Sequence, residues 1–166
     1  ISWAKGMGGG VPIGAFWLSD RAIDDDGTAF SSLLGPGSHG STYGGNPLVC
    51  AASLAVLREI REKELAMNAI LQEVRIRETV KSWNLPIVTE VRGTGLLLGI
   101  ALDPARIPTP EGKTPALVIV SKLMERGLIV PPAGPNTFRL LPPLNVTEAE
   151  IDEALVIIHS VLSEFQ

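Results

Sequence analysis

The 166-residue sequence predicts an α/β protein, with residues 1–60 closing one domain and residues 61–166 forming a connecting helix and a smaller α/β domain. Three observations lead there. Apolar residues recur at helical spacing in several stretches, short apolar runs lie between them, and the helix starts carry legible caps. A composition of 45% hydrophobic and 19% charged residues belongs to a globular chain able to bury a core.

Taken in order, residues 13 to 18 (Ile-Gly-Ala-Phe-Trp-Leu) read as a buried strand, and Asp24-Asp25-Asp26-Gly27 as a solvated turn. Asn46 followed by Pro47 is an N-cap with proline at the first helical position, and Ala51, Leu54, Leu57 and Ile60 supply an apolar face. A second helix carries Met67, Ile70, Leu71 and Val74 on one face and runs toward Trp83, where Asn84 and Pro86 break it. Beyond it the strands are expected to pair mostly antiparallel. Residues 87 to 91 and 96 to 102 read as two of them, separated by Arg92-Gly93-Thr94-Gly95. A loop over 104–112 leads to a helix capped by Thr114, opened by Pro115 and ended by Gly127, and 128–130 and 137–141 read as further strands. The last helix is the clearest. Thr147 and Glu150 form a capping box, Val146 and Ile151 a hydrophobic staple, and Leu155, Ile158, Leu162 and Phe165 continue its apolar face.

Charge and composition narrow the function. Fourteen basic against eighteen acidic side chains give a net charge of -4 with no basic run, which argues against nucleic acid or an anionic membrane as partner. No apolar stretch approaches the roughly 20 residues of a membrane-spanning helix. The single cysteine, Cys50, excludes an internal disulfide framework and suits a reducing cytoplasm. With Ile1 first and no signal-like segment following, the sequence is expected to be a fragment that starts in mid-domain. Competing motifs fail. Glu111-Gly112-Lys113-Thr114 ends like a phosphate-binding loop, but Ile107 stands where its first glycine belongs, and Gly93-Thr94-Gly95 precedes a strand rather than a helix. His39, His159 and Cys50 are too scattered for a metal site. His39 is expected to pack in its loop, and His159 to lie on a helix surface.

Two segments point to chemistry. Lys5 sits in Trp3-Ala4-Lys5-Gly6-Met7-Gly8-Gly9-Gly10, apolar on one side and nearly all glycine on the other. Apolar surroundings make a lysine amine nucleophilic, and glycines let a flat cofactor approach the backbone, so Schiff-base chemistry is the natural use. The loop from Gly37 to Pro47 offers hydroxyls and N–H groups to an anion just ahead of a helix, although loops also use serine and glycine for their turns.

With Phe138-Arg139-Leu140-Leu141-Pro142-Pro143-Leu144, these segments resemble the C-terminal part of the class III pyridoxal-phosphate aminotransferases. The family's run around its cofactor lysine is Ala-Lys-Gly-x-Gly-Gly-Gly-x-Pro-Ile-Gly-Ala, and residues 4 to 15 follow it throughout. The resemblance covers essentially the whole chain. It implies the end of the large domain and the small C-terminal domain of a fold type I, aspartate aminotransferase-like enzyme, with pyridoxal 5′-phosphate as cofactor. Lys5 matches the lysine that holds the cofactor covalently and, once displaced by the substrate amine, moves the proton. Thr42 matches the threonine that reaches across a homodimer interface to the other subunit's cofactor phosphate. Ser41 matches a residue lining the substrate pocket, and Arg139 the arginine that clamps a substrate carboxylate.

The implied reaction moves the δ-amino group of N2-acetyl-L-ornithine to 2-oxoglutarate in arginine biosynthesis. Ornithine, succinylornithine and 4-aminobutyrate are rival donors, and a non-catalytic dimerisation or binding fragment is the alternative from another class. The family's aspartate to the pyridine nitrogen, its ring-stacking aromatic and its backbone phosphate loop lie upstream of the residue matching Lys5 and are not in this sequence. The chain alone is therefore expected to be inactive.

Overall fold

A computed structural model describes residues 1–35, 37–38 and 40–165, so the loop-packing role expected of His39 lies outside the described residues. The chain forms two compact units, one ending at Lys63 and the other beginning at Glu64.

In the first unit, β1 (Ser2–Trp3) pairs antiparallel with β2 (Ala15–Phe16), with Ser2 opposite Phe16 and Trp3 opposite Ala15. The buried strand expected over residues 13 to 18 is thus a two-residue strand, and Phe16 and Trp17 are more than half exposed. A two-stranded ribbon this short buries little of its side chains by itself. The Asp24–Gly27 turn is solvated as expected: the Asp24 side chain accepts from the Thr28 N–H at 2.8 Å, and Gly27 takes φ +79°. Helix α1 (Pro47–Glu62) starts where the sequence places it, because the Asn46 side chain accepts from the N–H groups of Leu48 and Val49. Its inward side is Val49 and Ser53, with Val56 and Ile60 half-buried, whereas Leu54 and Leu57 of the expected face point outward.

The second unit holds the hydrophobic core. Helix α2 (Leu65–Ser82) buries Leu65, Ala69, Gln72, Ile76 and Val80 and leaves Met67, Ile70, Leu71 and Val74, the face read from the sequence, about half exposed. Both sides of this helix are apolar enough to be buried, and packing selects the one lined by the smaller Ala69 and by Ile76. Asn84, at φ +49°, ends the helix as expected. Strands β3 (Val88–Thr94), β4 (Leu97–Leu102) and β5 (Thr137–Leu140) form one antiparallel sheet in that order. The separator between the first two is tighter than expected: β3 runs through Thr94, which pairs with Leu97 across a two-residue turn at Gly95 and Leu96. Gly95 at φ +57° supplies the left-handed first position of that turn. Gly93 has no substitute either, since at its φ of +124° a Cβ would lie 2.0 Å from the Leu97 carbonyl oxygen.

One sheet face, with Leu98, Ile100, Leu102, Phe138 and Leu140, packs on α2, α3 (Pro115–Glu125) and α4 (Glu148–Leu162). The other face bears Glu90, Arg92, Thr94, Gly99 and Arg139. The caps are those read from sequence. Thr114 accepts from the Leu117 N–H, Gly127 follows α3 at φ +88°, and Thr147 and Glu150 close a full capping box. Residues 128–130 are not a strand, because the chain pairs one step later. The Arg139 N–H donates to the Pro131 carbonyl and the Ala133 N–H to the Thr137 carbonyl, both at 2.8 Å, while Pro131 and Pro132 have no N–H to extend the ladder.

Two polar devices fasten this unit. The Arg75 guanidinium forks onto the Asp152 carboxylate at 2.7 and 2.6 Å, joining α2 to α4. Glu73 accepts from the Gly95 N–H and from Arg77, and Arg77 donates in turn to the carbonyls of Val91 and Gly93. The turn of the β3–β4 hairpin is thereby tied to α2.

Candidate active site

Lys5 opens a single 3₁₀ turn, Lys5–Gly8, and itself adopts φ +56°, a conformation uncommon for a residue with a side chain. Gly9 and Gly10 follow at φ +60° and +108°, so the backbone doubles back tightly around the lysine. The turn packs on α1, where Gly9 leaves only 2.8 Å between the place of a Cβ and the Val56 side chain. Gly6 and Gly10 face open space instead. Among the described residues the Lys5 amine has no hydrogen-bond or ion-pair partner. Trp3, Ala4, Lys5 and Gly6 are all exposed, so the apolar setting expected around the amine is not built by the residues of this unit.

The hydroxyl loop leads into α1 and is exposed from Gly40 to Gly45. Ser41 turns it, its Oγ accepting from the Gly44 N–H at 3.0 Å. Thr42 is exposed and has no hydrogen bond among the described residues. Asn46 occupies the N–H groups of Leu48 and Val49, and Pro47 has none, so an anion here would rely on the loop rather than on the helix start.

Arg139 lies in the second unit, on β5. Phe138 and Leu140 on either side are buried in the core while Arg139 is exposed, so the strand's alternation aims it away from the helices. Its guanidinium has no carboxylate partner among the described residues. Near it opens a cleft of about 380 Å³ lined by Val130, Pro131, Leu140, Pro142 and Ile158, with Glu150 as the other charged residue.

One cation escapes the sequence reading. Arg92 stands opposite Gly99 on β4, and Gly99 stands opposite Arg139 on β5, so the two arginines flank a glycine on one row of the sheet. The period-two pattern Glu90, Arg92, Thr94 marks Arg92 as outward, but the register that aligns it with Arg139 has no signal in the sequence. Among the described residues no group of three or more His, Cys, Asp or Glu side chains could hold a metal ion, and no helix is long and apolar enough to cross a membrane.

Comparison with known proteins shows the family. Residues 1–162 match the family described as Aminotransferase class-III. The acetylornithine aminotransferase of Synechocystis sp. is 39% identical over 163 residues, covering 96% of this chain and 34% of that protein. The solved acetylornithine aminotransferase from Elizabethkingia anophelis superposes with a TM-score of 0.79 at 30% identity, covering 99% of this chain and 38% of that one. Plasmodium falciparum ornithine delta-aminotransferase gives the same TM-score of 0.79 at 32% identity, over 99% of this chain and 39% of that one. The chain thus spans little more than a third of the length of the curated relatives it matches.

Proposed function

The chain belongs to the class-III aminotransferases, and from that premise we propose that it serves a cytoplasmic pyridoxal-phosphate enzyme of arginine biosynthesis. The reaction moves the δ-amino group of N2-acetyl-L-ornithine to 2-oxoglutarate, giving N-acetylglutamate 5-semialdehyde and glutamate. Relatives named acetylornithine aminotransferase support this donor. Ornithine is the second reading, supported by the likeness to ornithine aminotransferases.

The observation that carries the proposal is the Lys5 amine, without a partner among the described residues, on a glycine turn with open space over Gly6 and Gly10. These residues suit pyridoxal phosphate: among the described residues they offer a free amine, backbone that a flat ring can approach, and in the loop a hydroxyl and an N–H without partners. Bound there, the cofactor supplies an electron sink for the carbon that loses its proton. Lys5 Nζ would hold the cofactor, and as a free amine it would take the proton from the carbon bearing the nitrogen. Arg139 grips a substrate carboxylate with its planar fork. Ser41, whose oxygen already accepts from Gly44, keeps its hydroxyl proton to donate into the substrate pocket.

Thr42 donates to the cofactor phosphate of the partner subunit in a homodimer. Geometry within the first unit supports that division. The Lys5 turn meets α1 at Val56, whereas the loop ends at Asn46, ten residues or about 15 Å away along the axis. Thr42 is therefore better placed for a cofactor other than the one on its own Lys5.

Borohydride reduction of the full-length protein followed by peptide mapping tests the assignment. The phosphopyridoxyl mass is expected on Lys5, and its appearance on Lys63, Lys81, Lys113 or Lys122 would overturn it. Single-turnover rates with N2-acetyl-L-ornithine and with ornithine test the donor. A faster reaction with ornithine would favour the second reading.

A further inference from the structure

A helical serine commonly turns its hydroxyl back onto a carbonyl of its own helix, and four serines here, three within helices and Ser163 at the end of α4, do so. Ser121 donates to the Leu117 carbonyl at 2.8 Å, Ser82 to that of Thr79 at 2.7 Å, Ser160 to that of Ile157 at 2.9 Å, and Ser163 to that of His159 at 2.7 Å. Ser53, in the middle of α1, does not. It is only 4% exposed, its Oγ is buried, and that Oγ has no hydrogen-bond partner among the described residues.

The helix decides what Ser53 faces. Val49, Ser53 and Val56 are spaced four and three residues apart and so share one side of α1. That side packs on the Lys5 turn, where Val56 meets Gly9. The turn brings backbone rather than side chains to this contact, because Gly6, Gly8, Gly9 and Gly10 have none and Gly8 is its buried residue. Its N–H groups at Met7, Gly9 and Val11 already donate to the carbonyls of Ala4, Gly6 and Gly8, each of which keeps a second lone pair. A buried hydroxyl left unmatched costs free energy, and a single water accepting from Ser53 and donating to the turn would match it.

We infer that Ser53 is a positioning residue for Lys5: its hydroxyl holds one buried water between α1 and the Lys5 turn, and that bridge fixes the glycine backbone that presents the amine. The inference rests on the reading of Lys5 as the cofactor lysine.

Ser53→Ala in the full-length protein separates an idle hydroxyl from a bridging one, because the two predict opposite signs. Removing a hydroxyl that bonds nothing leaves the melting temperature unchanged or raises it, whereas removing one that holds a water lowers it. In the cofactor-free protein, Ser53→Ala is expected to speed amide exchange at Met7, Gly9 and Val11 about five- to a hundredfold, with β4 and α4 unchanged. Uptake of pyridoxal phosphate, followed as borohydride-fixed label on Lys5, should slow several-fold. Ser53→Thr keeps a hydroxyl and should restore both. Should Ser53→Thr fail to fold, Ser53→Cys, close in size and a weaker hydrogen-bonding group, should fall between serine and alanine. Unchanged exchange at the turn in Ser53→Ala, at whatever melting temperature, would overturn the inference and leave Ser53 as packing for α1. Faster exchange at the turn with uptake at the unmutated rate would likewise end its role in presenting the amine. Exchange needs no cofactor, so faster exchange with the label on another lysine would overturn the reading of Lys5, and the positioning role with it, while leaving the bridge.

Discussion

Thr42 and Arg139 share a physical situation: each offers strong donors that the described chain does not use. For Thr42 the measurable consequence is cofactor retention. Thr42→Val keeps the size of the side chain and removes one hydrogen bond to a charged phosphate, worth about 1.5–3 kcal/mol, or roughly ten- to a hundredfold in the cofactor dissociation constant. An unaltered constant would make Thr42 a loop residue and nothing more. For Arg139 the informative change is Arg139→Lys, which keeps the charge and loses the planar two-point fork. Amino donor and 2-oxoglutarate each present a carboxylate, so both half-reactions should slow if one guanidinium serves both. Single-turnover rates for each half-reaction would show it, and normal rates in both would remove Arg139 from the site.

At the scale of elements, the β3–β4 hairpin depends on one glycine and one carboxylate. Gly93→Ala would set a Cβ 2.0 Å from the Leu97 carbonyl oxygen, forcing the hairpin apart. A loss of about 2–4 kcal/mol in denaturant unfolding is expected, and a loss below 1 kcal/mol would mean that the ladder shifts without strain. Thr147→Ala opens the α4 capping box and should cost about 1 kcal/mol in the same measurement. Caps and turns such as Asn46, Thr114, Gly127 and Thr147 were legible in the sequence because their chemistry is local, set by residues two or three positions apart. Facing was not. In α2 the stripe Met67, Ile70, Leu71, Val74 holds the bulkier side chains, yet Ala69, Ile76 and Val80 go inward, a choice made by the sheet and by α4 rather than by α2. The candidate site divides in the same way. The Lys5 turn and the hydroxyl loop are contiguous segments and stand out as such, whereas the alignment of Arg92 with Arg139 exists only once three strands have found their register.

For the whole molecule, buried apolar side chains are concentrated beyond residue 64, where α2, α3, α4 and one sheet face enclose Ile76, Ile100, Ile119, Phe138 and Ile158. Amide exchange of the isolated chain should be slowest in β4 and α4 and fast before Asn46; uniform protection would contradict the packing described. Acid should act on the second unit through its carboxylates. The Arg77 guanidinium holds the Glu73 carboxyl below its ordinary range, Arg75 does the same for Asp152, and Lys122 for Glu164. Groups depressed in the folded state add stability that is present above their unfolded pKa of about 4 and lost as pH falls through the folded values. The melting temperature should hold from neutral pH to about 5 and fall below about 4, and a rise on acidification would refute the assignment. Finally, both borders of the three-stranded sheet are obstructed against strand addition. The Arg77 guanidinium occupies the outward carbonyls of Val91 and Gly93 on β3, and beyond β5 runs a segment with Pro131 and Pro132, whose nitrogens carry no proton. A sheet obstructed in this way offers another polypeptide a broken ladder, so fibril growth by strand addition should start poorly from β3 or β5 while the fold is intact.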